Sequence, residues 1–540
     1  MSFLKVKNLV ADAKYNRWRF PPSALAIHLC IGMAYGFSVF WKPLSKLLTV
    51  DPAMVDACKA QTLLDQLFTT SCNWTEPNLG WMYSIFFIFL GSSAAVFGRW
   101  VEKVGPRMAG MISAILWCSG FFISTIGIVN HQLWMLWLGS GVIGGIGLGL
   151  GYISPVSTLV KWFPDKRGMA TGLAIMGFGG GAMIGSPLAE LLMKSVYGTQ
   201  DVPGIYQTFL TMGVIYAVFM VSGALSYRVP PQGWAPKGWT APTNTNNLVS
   251  KASVHVNNAH KTPQFWLIWL VLCLNVSAGI GVLGMASPMF QEILGGNPVG
   301  RAGVALTELT SDEAKIVAGI AAGLTGLLSL FNILGRIFWA SSSDKFGRKN
   351  TYFIFFILGM ILYASLPTLA HTGNEKLFVL FLCIILSMYG GGFATVPAYL
   401  ADVFGTQFVG AIHGRLLTAW SVAGVVGAVV VNYLREAQKT AGVPAVNFYD
   451  TALYVLALML VGGLIANFLV RPVNSKFHMS DAEVKKLMEE RNLANVTKAS
   501  DIGQGKLLND WRALVGWIAV GIPLLWGASR ALQSALKIFY

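Results

Sequence analysis

The sequence predicts an all-α membrane protein with twelve transmembrane helices in two six-helix halves, followed by a thirteenth helix. Three observations predict it. The first is composition: of 540 residues, 54% are hydrophobic and only 12% charged, with a mean hydropathy of +0.58. Soluble domains carry about 25% charged residues. The second is the placement of charge. The net charge of +15 would suit a nucleic-acid binder, but the basic residues fall in short loops between apolar runs, as membrane topology requires. The third is an internal repeat. Glu102-Lys103-Val104-Gly105-Pro106-Arg107 returns as Asp344-Lys345-Phe346-Gly347-Arg348-Lys349, 242 residues later, and Pro155 returns as Pro397 at the same offset. Two parallel copies require an even number of helices in each.

Residues 1–20 hold Lys5, Lys7, Lys14, Arg17 and Arg19 against Asp12 alone, which predicts a cytoplasmic tail. The N-terminal half spans 21–228. Pro21-Pro22 opens a first helix over 22–46, with His28 as a hydrogen-bonded core residue, Tyr35 near mid-depth and Lys42 snorkelling at the outer end. The acidic loop 47–79 is expected outside the cell. It holds Cys58 and Cys72, a candidate disulfide, while Cys30, Cys118, Cys273 and Cys383 read as packing residues. Further helices are predicted at 80–98, 108–129, 132–160, 168–192 and 204–228. The glycine-rich run Gly141 to Pro155 could be taken for a nucleotide-binding loop. No strand precedes it, so it reads as close helix packing instead.

Residues 229–261, rich in Pro, Asn, Thr and Lys, read as a cytoplasmic linker. The C-terminal half spans 262–471. Its helices are predicted at 263–290, from Gly319 onward, and at 351–370, 376–402, 408–434 and 449–471. In the tail 472–510, Ser480 and Glu483 have capping-box spacing and predict a short helix to about Leu493. The segment 511–540 begins an apolar run at Trp511 that is barely long enough to span; an interfacial helix is the alternative.

One residue stands out in the eighth helix. Arg336 precedes the loop residue Asp344 by eight positions, which at ~1.5 Å per residue puts it ~12 Å inside the boundary. A guanidinium at that depth costs roughly 2.5–3.5 kcal/mol on insertion scales. It is expected to face a polar cavity and hold an anion, with Asn332 one turn before it. Lys42, Glu190, His413 and Arg415 all read as helix-end residues and offer no rival.

Two six-helix halves, a long central loop and an acidic-basic glycine turn after the second helix of each half resemble the major facilitator superfamily. Within it the chain resembles the oxalate/formate antiporter family, which is related to the monocarboxylate transporters. The residues that carry this are GMAYGFSVF (Gly32 to Phe40), GLGYISPVSTLVKWFPDKRGMATG (Gly149 to Gly172), GFGGG (Gly177 to Gly181), NILGR (Asn332 to Arg336) and HGRLLTAW (His413 to Trp420). VGIPLLWG (Val520 to Gly527) resembles a small separate protein that accompanies some members, here fused.

The resemblance implies that Arg336 binds a substrate carboxylate beside Asn332, and that Tyr35, Tyr152 and Tyr389 line the cavity. Phe393 and Trp420 would set its volume. Glu102, Lys103, Arg107, Asp344, Lys345 and Arg348 would latch the inward-closed state. The oxalate antiporter has a lysine where this chain has Trp420, so a dianion would keep an uncompensated charge. The monocarboxylate transporters have an aspartate where this chain has Asn332. These departures point to small monocarboxylates (formate, acetate, lactate or pyruvate), carried by anion exchange or with protons. Oxalate/formate antiport is the alternative, and a non-transporting membrane sensor is the reading from another class. The expected setting is the inner (plasma) membrane, N-terminus cytoplasmic and C-terminus external. The chain is expected to act as a monomer in the lipid bilayer, with no cofactor, metal, catalytic residue or nucleic acid.

Overall fold

The computed structural model describes residues 8–12, 15–49, 51–199, 202–231, 234–239, 248–250, 252–301, 303–490 and 507–536. Lys5, Lys7 and Lys14 of the basic tail, and the end of the helix expected to reach Leu493, lie outside them.

Thirteen helices among the described residues are long and apolar enough to cross a membrane. The N-terminal half comprises α1 (Arg17–Leu44), α2 (Asn78–Val104), α3 (Pro106–Val129), α4 (Leu133–Trp162), α5 (Arg167–Val196) and α6 (Ile205–Ser226). The C-terminal half comprises α7 (Pro263–Leu294), α8 (Ser311–Phe346), α9 (Arg348–His371), α10 (Glu375–Phe404), α11 (Val409–Thr440) and α12 (Ala445–Leu469), and α13 is Trp511–Gln533. The halves meet most extensively where α5 packs on α8 and α2 on α11, with α10 also against α5. The face carrying the two repeated turns is called the basic side below.

The repeat is visible in the backbone. α2 and α8 each end in a single glycine of positive φ, Gly105 at 89° and Gly347 at 84°, and the next helix starts at the following residue. Only a residue without a Cβ takes that conformation cheaply. The largest difference from the predicted boundaries is at α8, which starts at Ser311 rather than Gly319. Thr310 and Glu313 form a capping box there, with Thr310 N–H donating to Glu313 at 2.8 Å. The cap extends the helix through charged residues that hydropathy assigned to the loop.

Cys58 and Cys72, the candidate pair, form a disulfide, with Cα atoms 5.4 Å apart. The side chain of Asn73 bonds both backbone groups of Leu48. The described parts of the linker are anchored rather than loose. Val229 exchanges backbone hydrogen bonds with Leu9 and Ala11 of the tail, while Ser250 and Val254 donate to the carbonyls of Asp402 and Phe404. Each end of the linker is therefore tied to its own half. The capping box at Ser480 and Glu483 forms and heads the helix Asp481–Glu490.

α13 crosses alongside α1, α5 and α8, so it does not lie in the surface plane. At its start Asp510 pairs with Arg19 at 2.5 Å and Trp517 Nε1 donates to the Trp18 carbonyl. Further along, Leu524 packs at Gly180 of α5, and Ala531 lies against Gly326 of α8. It touches both halves yet is the least buried spanning helix, so most of its apolar surface faces outward to lipid. A Cβ added at Gly326 would stand 3.4 Å from the Ala531 Cβ, just short of the Cβ separation of a disulfide, about 3.5–4.5 Å. Gly326→Cys with Ala531→Cys is therefore expected to cross-link on oxidation. After proteolysis between α12 and α13 the two fragments should stay joined until reduced, and separate fragments would contradict this packing.

Candidate functional site

α5 carries four glycines around Phe178, and this lets α8 approach closely. A Cβ at Gly179 would stand 3.0 Å from Arg336 Nε and 3.1 Å from Asn332 Oδ1. Arg336 consequently sits between the halves with 0% exposure. Its Nε donates to Asn332 Oδ1 at 2.9 Å, one turn earlier on the same helix. Its Nη1 donates to the Ile175 carbonyl of α5 at 2.9 Å. Nη2 has no hydrogen-bond partner among the described residues. Among the described residues no carboxylate pairs with this guanidinium. Besides these two oxygen acceptors, two aromatic faces lie against its charge, Phe178 at 5.9 Å and Phe393 at 5.6 Å.

Around it the rings form one cluster centred on Trp420, which is 1% exposed. Trp420 lies 4.7 Å from Phe393, 5.2 Å from Phe178, 5.5 Å from Tyr152 and 6.2 Å from Tyr35, measured between ring centroids. Tyr35 is delivered by an unusual stretch. After Ile31, α1 tightens into a 3₁₀ helix over Gly32–Phe40, and 3₁₀ runs beyond three or four residues are uncommon. The Tyr35 and Tyr389 hydroxyls meet at 2.9 Å, one from each half. Trp420 Nε1 and the Tyr152 hydroxyl are buried without partners.

All seven sequence-predicted pocket residues thus fall in one place. Phe178 was missed, although as the only side chain inside the glycine cluster Gly177 to Gly181 it was conspicuous. His28 is the bonded core residue expected. Its Nδ1 lies 2.6 Å from the Ala174 carbonyl and its Nε2 3.2 Å from that of Tyr152, which joins α1 to α5 and α4. His413 departs from expectation. It lies near the start of α11, yet it is 1% exposed, its ring is 5.8 Å from that of Tyr152, and both ring nitrogens lack partners.

On the basic side the repeated acids reach across the boundary between halves. Asp344 of α8 accepts from the backbone N–H groups of Gly168 and Met169 at the start of α5, both at 2.9 Å. Glu102 of α2 accepts from Gly410 N–H at the start of α11, at 3.2 Å. Neither receiving helix has a side-chain cap of its own. Each acid therefore caps, in the opposite half, a helix end whose free N–H groups favour negative charge. The donors Gly168 and Gly410 are 242 residues apart, like the acids, so the arrangement is pseudo-symmetric.

Arg348 donates to Asp344 at 2.5 Å, Lys161 to Glu102 at 2.9 Å, and Arg167 reaches Asp402 of the other half at 3.0 Å. The last two pairs were missed by sequence reasoning, although Lys161 and Arg167 sit in the quoted basic turn. Arg107 bonds the Tyr227 carbonyl within its own half. Lys103 and Lys345 are exposed. They take no part in the inter-half bonds seen among the described residues, which corrects the expectation that every charge of the turn contributes.

Two bundles of six helices, related by a repeat and closed around a buried polar centre, have the architecture of a membrane transporter. The family model of the Major Facilitator Superfamily matches residues 24–428 and again 314–535, and the chain belongs to that superfamily. It is 27% identical over 394 residues to the oxalate:formate antiporter of Oxalobacter formigenes, covering 72% of this chain and 82% of that protein. It is 22% identical to apicoplast pyruvate carrier 1 of Toxoplasma gondii, covering 84% and 90%. A 191-residue stretch is 25% identical to monocarboxylate transporter 2 of Rattus norvegicus, covering 35% and 37%. Among solved structures, the transporter FucP in its outward conformation matches with a TM-score of 0.56 at 14% identity, covering 84% of this chain and all of that one. The proton:xylose symporter XylE matches at 0.56 and 15%, covering 87% and 98%.

The bond from Arg336 to Asn332 holds the guanidinium fork in place. Asn332→Ala leaves a buried charged N–H without its acceptor, which costs more than the roughly 1–3 kcal/mol of a neutral group. A lower melting temperature of the purified protein is expected, and an unchanged one would show that Nε finds another acceptor.

Proposed function

We propose that the protein exchanges small monocarboxylates across the plasma membrane, with the basic side cytoplasmic. The observation that carries this reading is the Arg336 guanidinium: fully buried, paired with no acid among the described residues, and with Nη2 unsatisfied. A carboxylate would take Nη2 in a charge-assisted bond, with the Tyr152 hydroxyl and Trp420 Nε1 as further unused donors. The loaded site is then neutral. The empty site carries a bare cation through the membrane interior, which is costly. Exchange follows, because the halves rock readily only when the charge is matched. The cross-half caps of Glu102 and Asp344, with Arg167–Asp402, hold the cytoplasmic side closed.

A monocarboxylate matches one guanidinium. A dianion leaves one charge unpaired in a site where the remaining partners, Asn332 and Trp420, are neutral. The relatives that move oxalate, formate, pyruvate and monocarboxylates support the class. The oxalate:formate antiporter keeps dicarboxylate exchange as the second reading.

Labelled formate, acetate, lactate, pyruvate and oxalate offered to proteoliposomes, with and without a pH gradient, test this. At least one monocarboxylate should be taken up faster than oxalate, and Arg336→Gln should lower that uptake by ten-fold or more. Oxalate as the preferred substrate would overturn the single-charge argument. Full activity of Arg336→Gln would overturn the site.

A further inference from the structure

Among the described residues, His413 makes no side-chain hydrogen bond that holds the closed protein together. It is buried on α11, seven residues before Trp420, and both rings lie beside that of Tyr152. Neither ring nitrogen has a hydrogen-bond partner among the described residues. The crevice beside it, lined by Ser157, Val160, Pro397, Val409 and Gly410, has no room for a water molecule. Leaving a buried polar group unsatisfied costs roughly 1–3 kcal/mol. Such a group makes physical sense where another state of the protein supplies its partner.

Its position says which state. Three residues earlier on α11, Gly410 N–H is the group that Glu102 caps across the closure. In the other direction the Tyr152 ring lies 5.8 Å from His413 and 5.5 Å from Trp420. The unmatched groups Arg336 Nη2, Trp420 Nε1, the Tyr152 hydroxyl and the His413 nitrogens therefore form a series from the central site towards the basic-side closure. The groups near His413 that can carry charge are His28, bonded to two carbonyls beyond Tyr152, and Glu102, held by Lys161 and Gly410 at the closure. Neither is a free anion that would occupy the ring.

We propose that His413 forms a second station for the substrate carboxylate, between Arg336 and the basic-side closure, filled when that closure opens. A neutral imidazole donates one N–H, and the Tyr152 hydroxyl supplies a second donor to the same carboxylate. Departing substrate would exchange the Arg336 fork for these weaker neutral donors and then reach water. The inference rests on the carboxylate reading of Arg336 and adds a step on one face only.

The test is sided transport in proteoliposomes of uniform orientation, with labelled formate and labelled pyruvate as probes. His413→Phe keeps a ring of similar size and removes nitrogens that have no partners, so the melting temperature should not fall. Its apparent affinity from the basic side should drop about ten-fold, while affinity from the opposite side changes less than two-fold. His413→Asn, which restores a donor, should recover basic-side affinity to within about three-fold of wild type. An equal loss on both faces, opposite changes on the two faces (a shifted conformational balance) or no change at all would each overturn the proposal. A His413→Asn variant as weak as His413→Phe would do the same. If wild type exchanges neither probe, the carboxylate reading itself fails, and this station with it.

Discussion

The structure depends on one uncompensated charge. Arg336 is buried in the seam between the halves and given just enough to stay there: one side-chain oxygen, one backbone carbonyl and two aromatic faces. A matched acid would make the seam more stable and leave nothing for a ligand to do. An empty apolar seam would have no affinity for anions. Partial satisfaction is what lets binding and closure share the same free energy, since a ligand shifts a conformational balance only by its differential affinity for the states. The glycines of α5 are the geometric condition. A side chain at Gly179 would push α5 off the guanidinium and off Asn332, and with it the carbonyl of Ile175.

The repeat is kept in one place and broken in another. At the closure, acid and helix end recur with the same offset, so each half caps the other in the same way. At the centre the symmetry fails. The position 242 residues before Arg336 is Ala94, and that before Asn332 is Leu90, both fully buried and apolar. A symmetric pair of cations would double the burial cost and match a dianion. A single one halves the cost and sets the charge that the pocket counts. At the closure only the acid-to-helix-end caps keep the repeat; the Arg167–Asp402 pair has no counterpart, since the positions 242 residues away are Val409 and Val160. α13 lies outside both features, yet it packs on α5 and α8, the two helices that frame Arg336, and its Leu524 covers the glycine face of α5 at Gly180.

The fold was largely legible because apolar length, basic turns and a 242-residue repeat all act at the scale of whole helices. Arg336 and Asn332 were legible because charge at membrane depth is rare and spacing of four places both on one face. The misses share a cause. The early start of α8 depends on the capping exchange between Thr310 and Glu313, which hydropathy does not register. The cross-half caps pair residues such as Glu102 and Gly410, more than 300 positions apart, through a backbone donor that no sequence pattern marks. His413 was set aside by its distance from a helix end, which measures depth along one helix and says nothing of the neighbours that cover it. Phe178 needed the positions of three helices at once.

The central claim is that loading neutralises Arg336 and that the halves reorient readily only when it does. Efflux of a preloaded labelled monocarboxylate from proteoliposomes, into buffer with and without the same unlabelled anion, measures this directly when repeated under an imposed membrane potential. Efflux should be at least ten-fold faster with external substrate present, and the exchange rate should not respond to the potential. Equal efflux into substrate-free buffer, or exchange that follows the potential, would contradict it.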